Sequence, residues 1–331
     1  MANSFSIFDT IKNNDTILQS NANLINEMVM KEDMNVSVKP FGDKKQGIVT
    51  SIKAINNVIS NTMDLNFTDD ENVQVFNSVK FDSLDKIIFD AILTLYFRKQ
   101  KSFTIQQIAK MISGTNPSCI SKIKIKSIED RIDNMIATFV KINCKDELAL
   151  REVSEETLDI MEGLGQFIPV SKYTMTMKNK TKTTAYIMTN DLQNPKDVFK
   201  CPMFAYLIIS KQLITINTNN FYPNLTRHSD EFDIIQQYIL GRIELMKNSK
   251  NSMNNHNISF DTSVKDKRNL YNFCGIRQNN YSDKNWYLKQ KKIIETVETI
   301  LKYQIEIKNI KDYELVYNKG KKIPVSVTIK I

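Results

Sequence analysis

Clustered lysines are the side chains of this sequence best placed to do chemistry, and the chemistry they indicate is the binding of phosphate groups. From Arg98 to Lys126 there are seven basic residues and no acidic residue. Lysine alternates with isoleucine from Ser121 to Lys126, and Arg131 follows about one turn into a predicted helix. Lysines at a helix start can reach phosphate oxygens, and the helix N-terminus adds backbone N–H donors. The alternative for this stretch is a β-strand with its polar face in water.

Further basic residues fall in predicted turns and helices. One basic turn, residues 178–182, separates two predicted strands, and another, residues 318–322, separates the last two strands. Each lysine–phosphate contact adds one charge to a salt-dependent affinity, so these clusters favour binding to double-stranded DNA. The alternative is that they are solvated turns and helix faces. The candidate DNA-binding residues are Lys122, Lys124, Lys126, Arg131, Lys178, Lys180, Lys182, Lys265, Lys267, Arg268, Lys289, Lys291, Lys292, Lys319, Lys321 and Lys322.

Amide and aromatic side chains around the last predicted helix are candidates for contacts with bases. Amides suit the reading of adenine, although nothing singles out one of them. The aromatic side chains either stack on bases or pack beneath the helix, and packing is the commoner fate at helical spacing. The amides are Asn279, Asn280, Asn285 and Gln290, and the aromatic residues are Tyr271, Tyr281, Trp286 and Tyr287.

No pattern typical of an active site, a metal site or a cofactor site occurs. The four cysteines have no Cys-x-x-Cys spacing, and His228 and His256 lie far apart,. The eight glycines form no phosphate-binding loop,. A DNA-nicking tyrosine would need a metal held by a His-hydrophobic-His pair, which neither histidine provides. We therefore expect no catalytic residues, no metal and no cofactor.

The charge of the chain is unevenly distributed. The net charge is +8, yet residues 1–97 hold 13 acidic and 8 basic residues, which leaves +13 for residues 98–331. This asymmetry indicates that the larger, C-terminal part meets a polyanion. The alternative is a lysine-rich composition imposed by an AT-rich genome, which raises lysine everywhere but does not explain where acidic residues are missing.

Apolar periodicity predicts that the lysines are positioned by three helices followed by a hairpin. The first helix runs from Leu84 to Lys99 with Ser83 as its cap. Thr104 begins the second, with Gln107 completing a capping box and Gly114 ending it. The third begins at about Ser127, and Phe139 to Asn143 alternates like a strand. The hairpin strands are Phe167–Met177 and Thr183–Thr189, preceded by an acidic stretch from Asp146 to Glu162.

The same order is predicted to recur, which suggests an internal repeat. The second set has helices at Asp230–Asn248, from Ser259 or Asp261 to about Phe273, and at Asn285–Tyr303. Its strands, Tyr313–Tyr317 and Ile323–Ile331, flank a tight turn at Asn318–Gly320,. A helix-turn-helix followed by a hairpin is the order of a winged helix. The predicted fold class is therefore α+β, with tandem winged-helix domains.

These elements divide the chain into three parts. We expect an N-terminal arm, partly disordered, at residues 1–80, although Val73 to Phe81 alternates like a strand. A first winged-helix domain would cover residues 81–225, and a second would cover residues 226–331. No apolar run reaches the length needed to cross a bilayer, and Met1 to Asp9 lacks the pattern of a secretory signal,. We therefore expect a cytoplasmic protein without a membrane partner.

Several segments resemble replication-initiator-like proteins carried by plasmids, phages and integrative elements of low-GC Gram-positive bacteria. The resemblance covers about residues 80–331. Two departures stand out: Ile243 replaces the second arginine of the family's helix, and the stretch before the first hairpin is acidic and expanded. The matching segments are Phe89–Tyr96, Phe103–Gly114, Phe139–Asn143, Tyr238–Asn248, Lys291–Tyr303 and Tyr317–Lys321.

The resemblance implies a tandem winged-helix initiator that binds origin repeats of a mobile element, with a possible homodimer and host replication proteins as partners. The first alternative is a DNA-binding regulator of transcription or plasmid partition that does not initiate replication. A second is an enzyme that nicks DNA through a tyrosine. A third is a scaffolding protein whose lysines only keep it soluble.

Overall fold

A computed structural model gives the conformation of most of the C-terminal part of the chain and of short N-terminal segments. It describes residues 17–21, 36–41, 45–52, 73–77, 81–114, 120–142, 163–176, 182–189, 201, 204, 213–223, 229–248, 256–260, 269–276 and 278–331.

Helices and small antiparallel sheets alternate along the described residues, which makes the fold α+β. The helices are α1 (Ser83–Phe97), α2 (Ile105–Ser113), α3 (Lys122–Ile136), α4 (Asp230–Asn248), α5 (Leu270–Phe273) and α6 (Asp283–Glu306). The strands are β1 (Ile17–Asn21), β2 (Val36–Phe41), β3 (Lys45–Ile52), β4 (Val73–Asn77), β5 (Ser102–Phe103), β6 (Phe139–Ile142), β7 (Gly163–Gln166), β8 (Val170–Thr176), β9 (Lys182–Met188), β10 (Leu213–Asn217), β11 (Asn257–Ser259), β12 (Asp312–Val316) and β13 (Ser326–Lys330).

Two units of the chain share one order of elements and one sheet topology. Unit 1 runs α1, β5, α2, α3, β8, β9, and its sheet has the order β5-β9-β8. Unit 2 runs α4, β11, α5, α6, β12, β13, and its sheet has the order β11-β13-β12. In each unit, the last strand lies between the short first strand and the second strand. Unit 1 differs by an insertion between α3 and β8 that contains β6 and β7.

The start of α1 differs from the sequence prediction in its capping residue. Asp82, not Ser83, caps the helix, because its carboxylate accepts hydrogen bonds from the backbone N–H of Leu84 and Asp85,. Asp85 returns the contact by accepting from the backbone N–H of Asp82 at 2.7 Å. The hydroxyl of Ser83 instead donates to the carbonyl oxygen of Phe273 in unit 2, at 2.7 Å.

Helix α2 begins and ends where the sequence predicts. The hydroxyl of Thr104 accepts from the backbone N–H of Gln107 at 3.3 Å, and Gly114 ends the helix with a φ of 68°. The other half of the predicted capping box is replaced by paired side-chain hydrogen bonds between Gln107 and Gln100. A side chain at Gly114 would also press on the ring of Phe221, with a closest contact of 3.2 Å.

Helix α3 begins five residues earlier than the apolar periodicity predicts. Residues 122–126 are its first turns and not a strand, because Ser121 caps the helix by accepting from the backbone N–H of Lys124. The alternating lysines and isoleucines therefore lie on a helix. Ile123 is 84% exposed on it, whereas Ile128 is completely buried.

Unit 2 departs from its prediction before α6. Residues 257–259 form β11, which pairs with β13, so a helix does not begin at Ser259. Residues 261–268 lie outside the described residues, and α5 covers only Leu270–Phe273, capped by Asn269. The predicted tight turn of the hairpin is confirmed. Gly320 has a φ of 76°, and the backbone N–H of Lys321 donates to the carbonyl oxygen of Asn318 at 2.9 Å,.

The segments before residue 81 contribute strands to two further sheets. β1 pairs with β10, and β2, β3, β4, β6 and β7 form a five-stranded antiparallel sheet in that order. The predicted strands at Val73 and Phe139 are confirmed as β4 and β6, which pair with one another.

The two units pack against each other through one continuous apolar core. Ile92 and Leu95 of α1 are completely buried in it, together with Ile235 and Ile239 of α4. The side-chain amide of Gln237 donates to the carbonyl oxygen of Ile112 at 2.9 Å across the contact. The boundary predicted between residues 225 and 226 lies outside the described residues. Among the helices that the structure describes, none has the length and apolar character to cross a bilayer.

Candidate nucleic-acid interface

The third helices of the two units, α3 and α6, can be aligned by their buried residues. Ile128, Ile132 and Met135 of α3 correspond to Ile293, Val297 and Ile300 of α6 at identical spacing, and all six are completely buried. The alignment also makes three pairs of surface residues equivalent. These pairs are Ile123 with Leu288, Lys124 with Lys289, and Lys126 with Lys291.

Lys124 of α3 is held by carboxylates of unit 2. Its ammonium group lies 3.0 Å from the carboxylate of Asp230 and is hydrogen-bonded to Asp233, which is completely buried. Burial lowers the pKa of Lys124, but the charges and hydrogen bonds of Asp233 and Asp230 outweigh this and raise it above its ordinary value,. Lys124 therefore stays charged and contributes its charge to the contact between the units.

Arg131 of α3 is held by the start of α1. Its guanidinium donates to Asp82 and Asp85, each at 2.7 Å. Burial raises the pKa of Asp85 to about 6, and the nearby charge of Asp82 adds to this, whereas the charge of Arg131 opposes it,. Because its charge is matched by two carboxylates, Arg131 adds no net positive charge to the surface.

Acidic residues on α3 itself neutralise further cations. Lys126 lies 2.8 Å from Asp130 and 3.7 Å from Glu129. Lys172 of β8 lies 3.0 Å from Glu129 and 2.6 Å from Asp133. Among the ion pairs of the described residues, none involves Lys122. The surface of α3 therefore alternates positive and negative groups.

Helix α6 presents a different surface. Lys289 is bonded to Glu231 on α4, but Lys284 and Lys292 are exposed and make no ion pair within the described part of the chain. The Lys291 ammonium is 3.9 Å from Glu295, and both side chains are more than 60% exposed, so this contact is weak,. Ser282 makes no side-chain cap to the first turn, in contrast to Ser121 of α3.

The tip of the β12–β13 hairpin carries unpaired lysines. Lys319, Lys321 and Lys322 are exposed, and no ion pair to them is found among the described residues. Tyr313 of β12 donates its hydroxyl to Glu298 at 3.3 Å, which fixes the first hairpin strand against the middle of α6. The hairpin is thus tied to the helix that carries the other exposed lysines of unit 2.

The aromatic residues near α6 are divided between packing and exposure. Trp286 and Tyr271 are buried, with ring centroids 5.3 Å apart. Tyr281 and Tyr287 are exposed, as are the amides Asn280 and Asn285. Trp286 and Tyr271 therefore pack beneath the helix. The exposed tyrosines and amides form a surface beside the lysines of α6.

Six candidate residues cannot be placed by their side chains. Lys182 begins β9, opposite Thr176, but its side chain is not described. The others lie outside the described residues, so their assignment stays a prediction: Lys178, Lys180, Lys265, Lys267 and Arg268.

Sequence reasoning missed three surface residues of the third helices. Lys284 was not selected, although it directly precedes Asn285, which was. Ile123 and Leu288 were not selected because an isolated apolar residue near a buried stripe resembles a core residue. Ile123 and Leu288 are recognised as equivalent only when α3 and α6 are aligned, and that alignment requires knowing which residues of each helix are buried.

The described residues offer no site for a metal. No group of three or more His, Cys, Asp or Glu side chains able to hold an ion occurs among them. Cys201 and Cys274 are buried free thiols. Comparison with protein-family models, with curated proteins and with solved structures finds no match to this chain.

Proposed function

We propose that the protein binds double-stranded DNA through tandem winged-helix domains, with unit 2 supplying most of the contacts to phosphates. In a helix-turn-helix domain, the helix placed in the major groove is the one that follows the turn, and a hairpin can contact the backbone beside it. The repeated order of three helices and a hairpin, with the last strand in the centre of the sheet, supports this assignment.

One observation carries the proposal: the third helix and the hairpin tip of unit 2 both carry exposed lysines without a close carboxylate partner. An ion-paired lysine must lose its carboxylate partner before it can neutralise a phosphate, whereas an unpaired lysine need not. Lys284, Lys292 and the three tip lysines are therefore available at once, and Lys291 has only its weak contact with Glu295 to lose. The first turn of α6, which Ser282 does not cap, adds backbone N–H donors of the polarity that phosphates prefer.

We further propose that the bound DNA is a set of origin repeats and that binding initiates replication of a mobile element. This rests on the resemblance to replication-initiator-like proteins. A chain of that kind, supplied with its repeats, should sustain a plasmid that lacks an initiator of its own in a low-GC Gram-positive host. Selective binding without plasmid maintenance would instead favour a regulator of transcription or partition.

Binding to duplex fragments tiled across the encoding element, at several salt concentrations, tests the DNA-binding proposal. We expect one fragment with direct repeats to bind selectively. Replacing Lys319, Lys321 and Lys322 by Gln should flatten the plot of log affinity against log salt by about 3 units, roughly 0.9 per lost contact. Equal loss in a triple Lys→Gln control at exposed positions 101, 302 and 311, or no binding to any fragment, would contradict it.

A further inference from the structure

Each third helix exposes one aliphatic side chain at the same position. Ile123 of α3 is 84% exposed and Leu288 of α6 is 53% exposed, the two highest values for large apolar side chains among the described residues. Single exposed apolar residues are common on protein surfaces. Two at equivalent positions of two repeated helices are a stronger observation, because each lies on a helix whose opposite face is buried.

Both side chains are held outward by an anchored neighbour. Ile123 precedes Lys124, which is bonded to Asp230 and Asp233, and Leu288 precedes Lys289, which is bonded to Glu231. The three carboxylates all belong to the first turn of α4. The same lysine position thus fixes the rotation of both third helices on one helix, and this rotation points the preceding residue to the surface.

The neighbours of Leu288 restrict what it can contact. Asn285, one turn before it, is an exposed amide, and three exposed lysines, Lys284, Lys291 and Lys292, outnumber the one carboxylate, Glu295, around the same face. Such a surface suits a partner that is strongly anionic yet offers an apolar group beside hydrogen-bonding groups. In the major groove of DNA, the C5-methyl of thymine is the apolar group, and its paired adenine offers N6 and N7 to an amide.

We propose that Leu288 and Ile123 contact thymine methyl groups, so that the bound DNA requires thymine at two sets of fixed positions. This inference rests on the proposed function and specifies part of its substrate. The contact of Ile123 is the weaker one, because α3 has two carboxylates, Glu129 and Asp130, that repel phosphates beside the groove, whereas α6 has Ile294 and Glu295 at the equivalent positions.

Replacement of thymine by deoxyuridine, one position at a time across the bound fragment, tests the inference because it removes only the methyl group. Loss of one buried methyl corresponds to about a fourfold weaker affinity. In Leu288→Ala, the penalty at one set of positions should disappear, and in Ile123→Ala the penalty at the other set should disappear. Leu245→Ala, which changes an exposed leucine of α4, should keep both penalties.

The outcomes separate the inference from the proposed function. Selective binding that is insensitive to deoxyuridine, or a penalty that survives both Leu288→Ala and Ile123→Ala, overturns the inference and leaves DNA binding intact. A penalty that follows Leu288 alone overturns the part assigned to Ile123. Absence of binding to any duplex fragment overturns both and favours a protein partner for the two aliphatic positions.

Discussion

The third helices of units 1 and 2 have matching buried faces but differ in how closely their surface charges are paired. On α3, Lys124, Lys126 and Arg131 each face one or two carboxylates, Lys122 has no ion pair among the described residues, and Ser121 caps the first turn. On α6, only Lys289 has a close carboxylate partner, and the first turn has no side-chain cap. The comparison teaches that equivalent lysines differ in degree: Lys124 and Lys289 are both anchored on α4, whereas Lys126 lies 2.8 Å and Lys291 lies 3.9 Å from the carboxylate one turn further on.

The largest expected effect concerns the stability of the fold. Replacing Lys124 by Met leaves the completely buried Asp233 without its ammonium partner, which should lower the free energy of unfolding by about 3 kcal/mol,. Replacing Lys291 by Met removes an exposed, weak pair and should change it by less than about 0.5 kcal/mol,. Chemical denaturation of both variants measures the difference. Similar losses in the two variants would contradict the division between anchored and free lysines.

The next effect concerns DNA affinity. Replacing Lys291 and Lys292 by Gln should weaken duplex binding by about tenfold or more and flatten its salt dependence by about 2 units. Replacing Lys126, the equivalent of Lys291, should flatten the salt dependence less, since Glu129 and Asp130 lie 3.7 and 2.8 Å from its ammonium group and compete with a phosphate. Titrations at several salt concentrations compare them. If Lys126→Gln acts as strongly as Lys291→Gln, the ion pairs of α3 do not survive in the complex.

The cluster of Asp82, Asp85 and Arg131 beneath α3 predicts a pH dependence of stability, and its arginine has no equivalent in unit 2, where Thr296 takes that position. The pKa of Asp85 is raised to about 6 by burial, so the folded state binds a proton more tightly than the unfolded state. Its contribution to stability is therefore complete only below its ordinary pKa of 3.8 and is lost as the pH rises through 6,.

Replacing Asp85 by Asn isolates this contribution. The free energy of unfolding of the wild type, measured relative to the variant by denaturation at each pH, should fall by roughly 1–2 kcal/mol between pH 4 and 6. A constant difference over this interval would mean that Arg131 holds Asp85 ionised throughout.

The long helices were largely predictable from sequence, because each repeats apolar residues at helical spacing. Glycine positions also gave reliable information, since Gly114 and Gly320 adopt the positive φ that their turns require. The errors fall at short elements and at helix starts, including the alternating residues 122–126 that begin α3. β5 and β11 are two and three residues long, too short to show alternation. At the start of α1, Asp82 and Ser83 are both residue types that cap helices, so the sequence does not decide which of them is the cap,.

The surface chemistry was less predictable than the fold. Sequence clustering selected Lys124 and Lys319 for the same reason, yet Lys124 is bonded to a residue 109 positions away. Which residues become such partners depends on how the two units pack, and a local pattern of charge in the sequence does not predict that packing. The useful signal was instead the acidic start of α4 at Asp230, Glu231 and Asp233, since a first turn with three carboxylates attracts lysines from neighbouring helices,.

The smallest expected effect is a gain in DNA affinity, produced by a substitution on α3. Asp130 is 56% exposed and pairs with Lys126 at 2.8 Å, so Asp130→Asn should free that lysine without disturbing the core. If α3 lies near DNA, as its exposed Ile123 suggests, affinity should rise by roughly three- to fivefold at low salt and the salt dependence should steepen by up to about 1 unit.

Glu295→Gln makes the matched change on α6, where Glu295 occupies the equivalent position but lies 3.9 Å from Lys291. Because that lysine is already nearly free, the gain there should be smaller. A larger gain from Glu295→Gln than from Asp130→Asn would show that carboxylates limit the contact of unit 2 more than that of unit 1, which reverses the comparison.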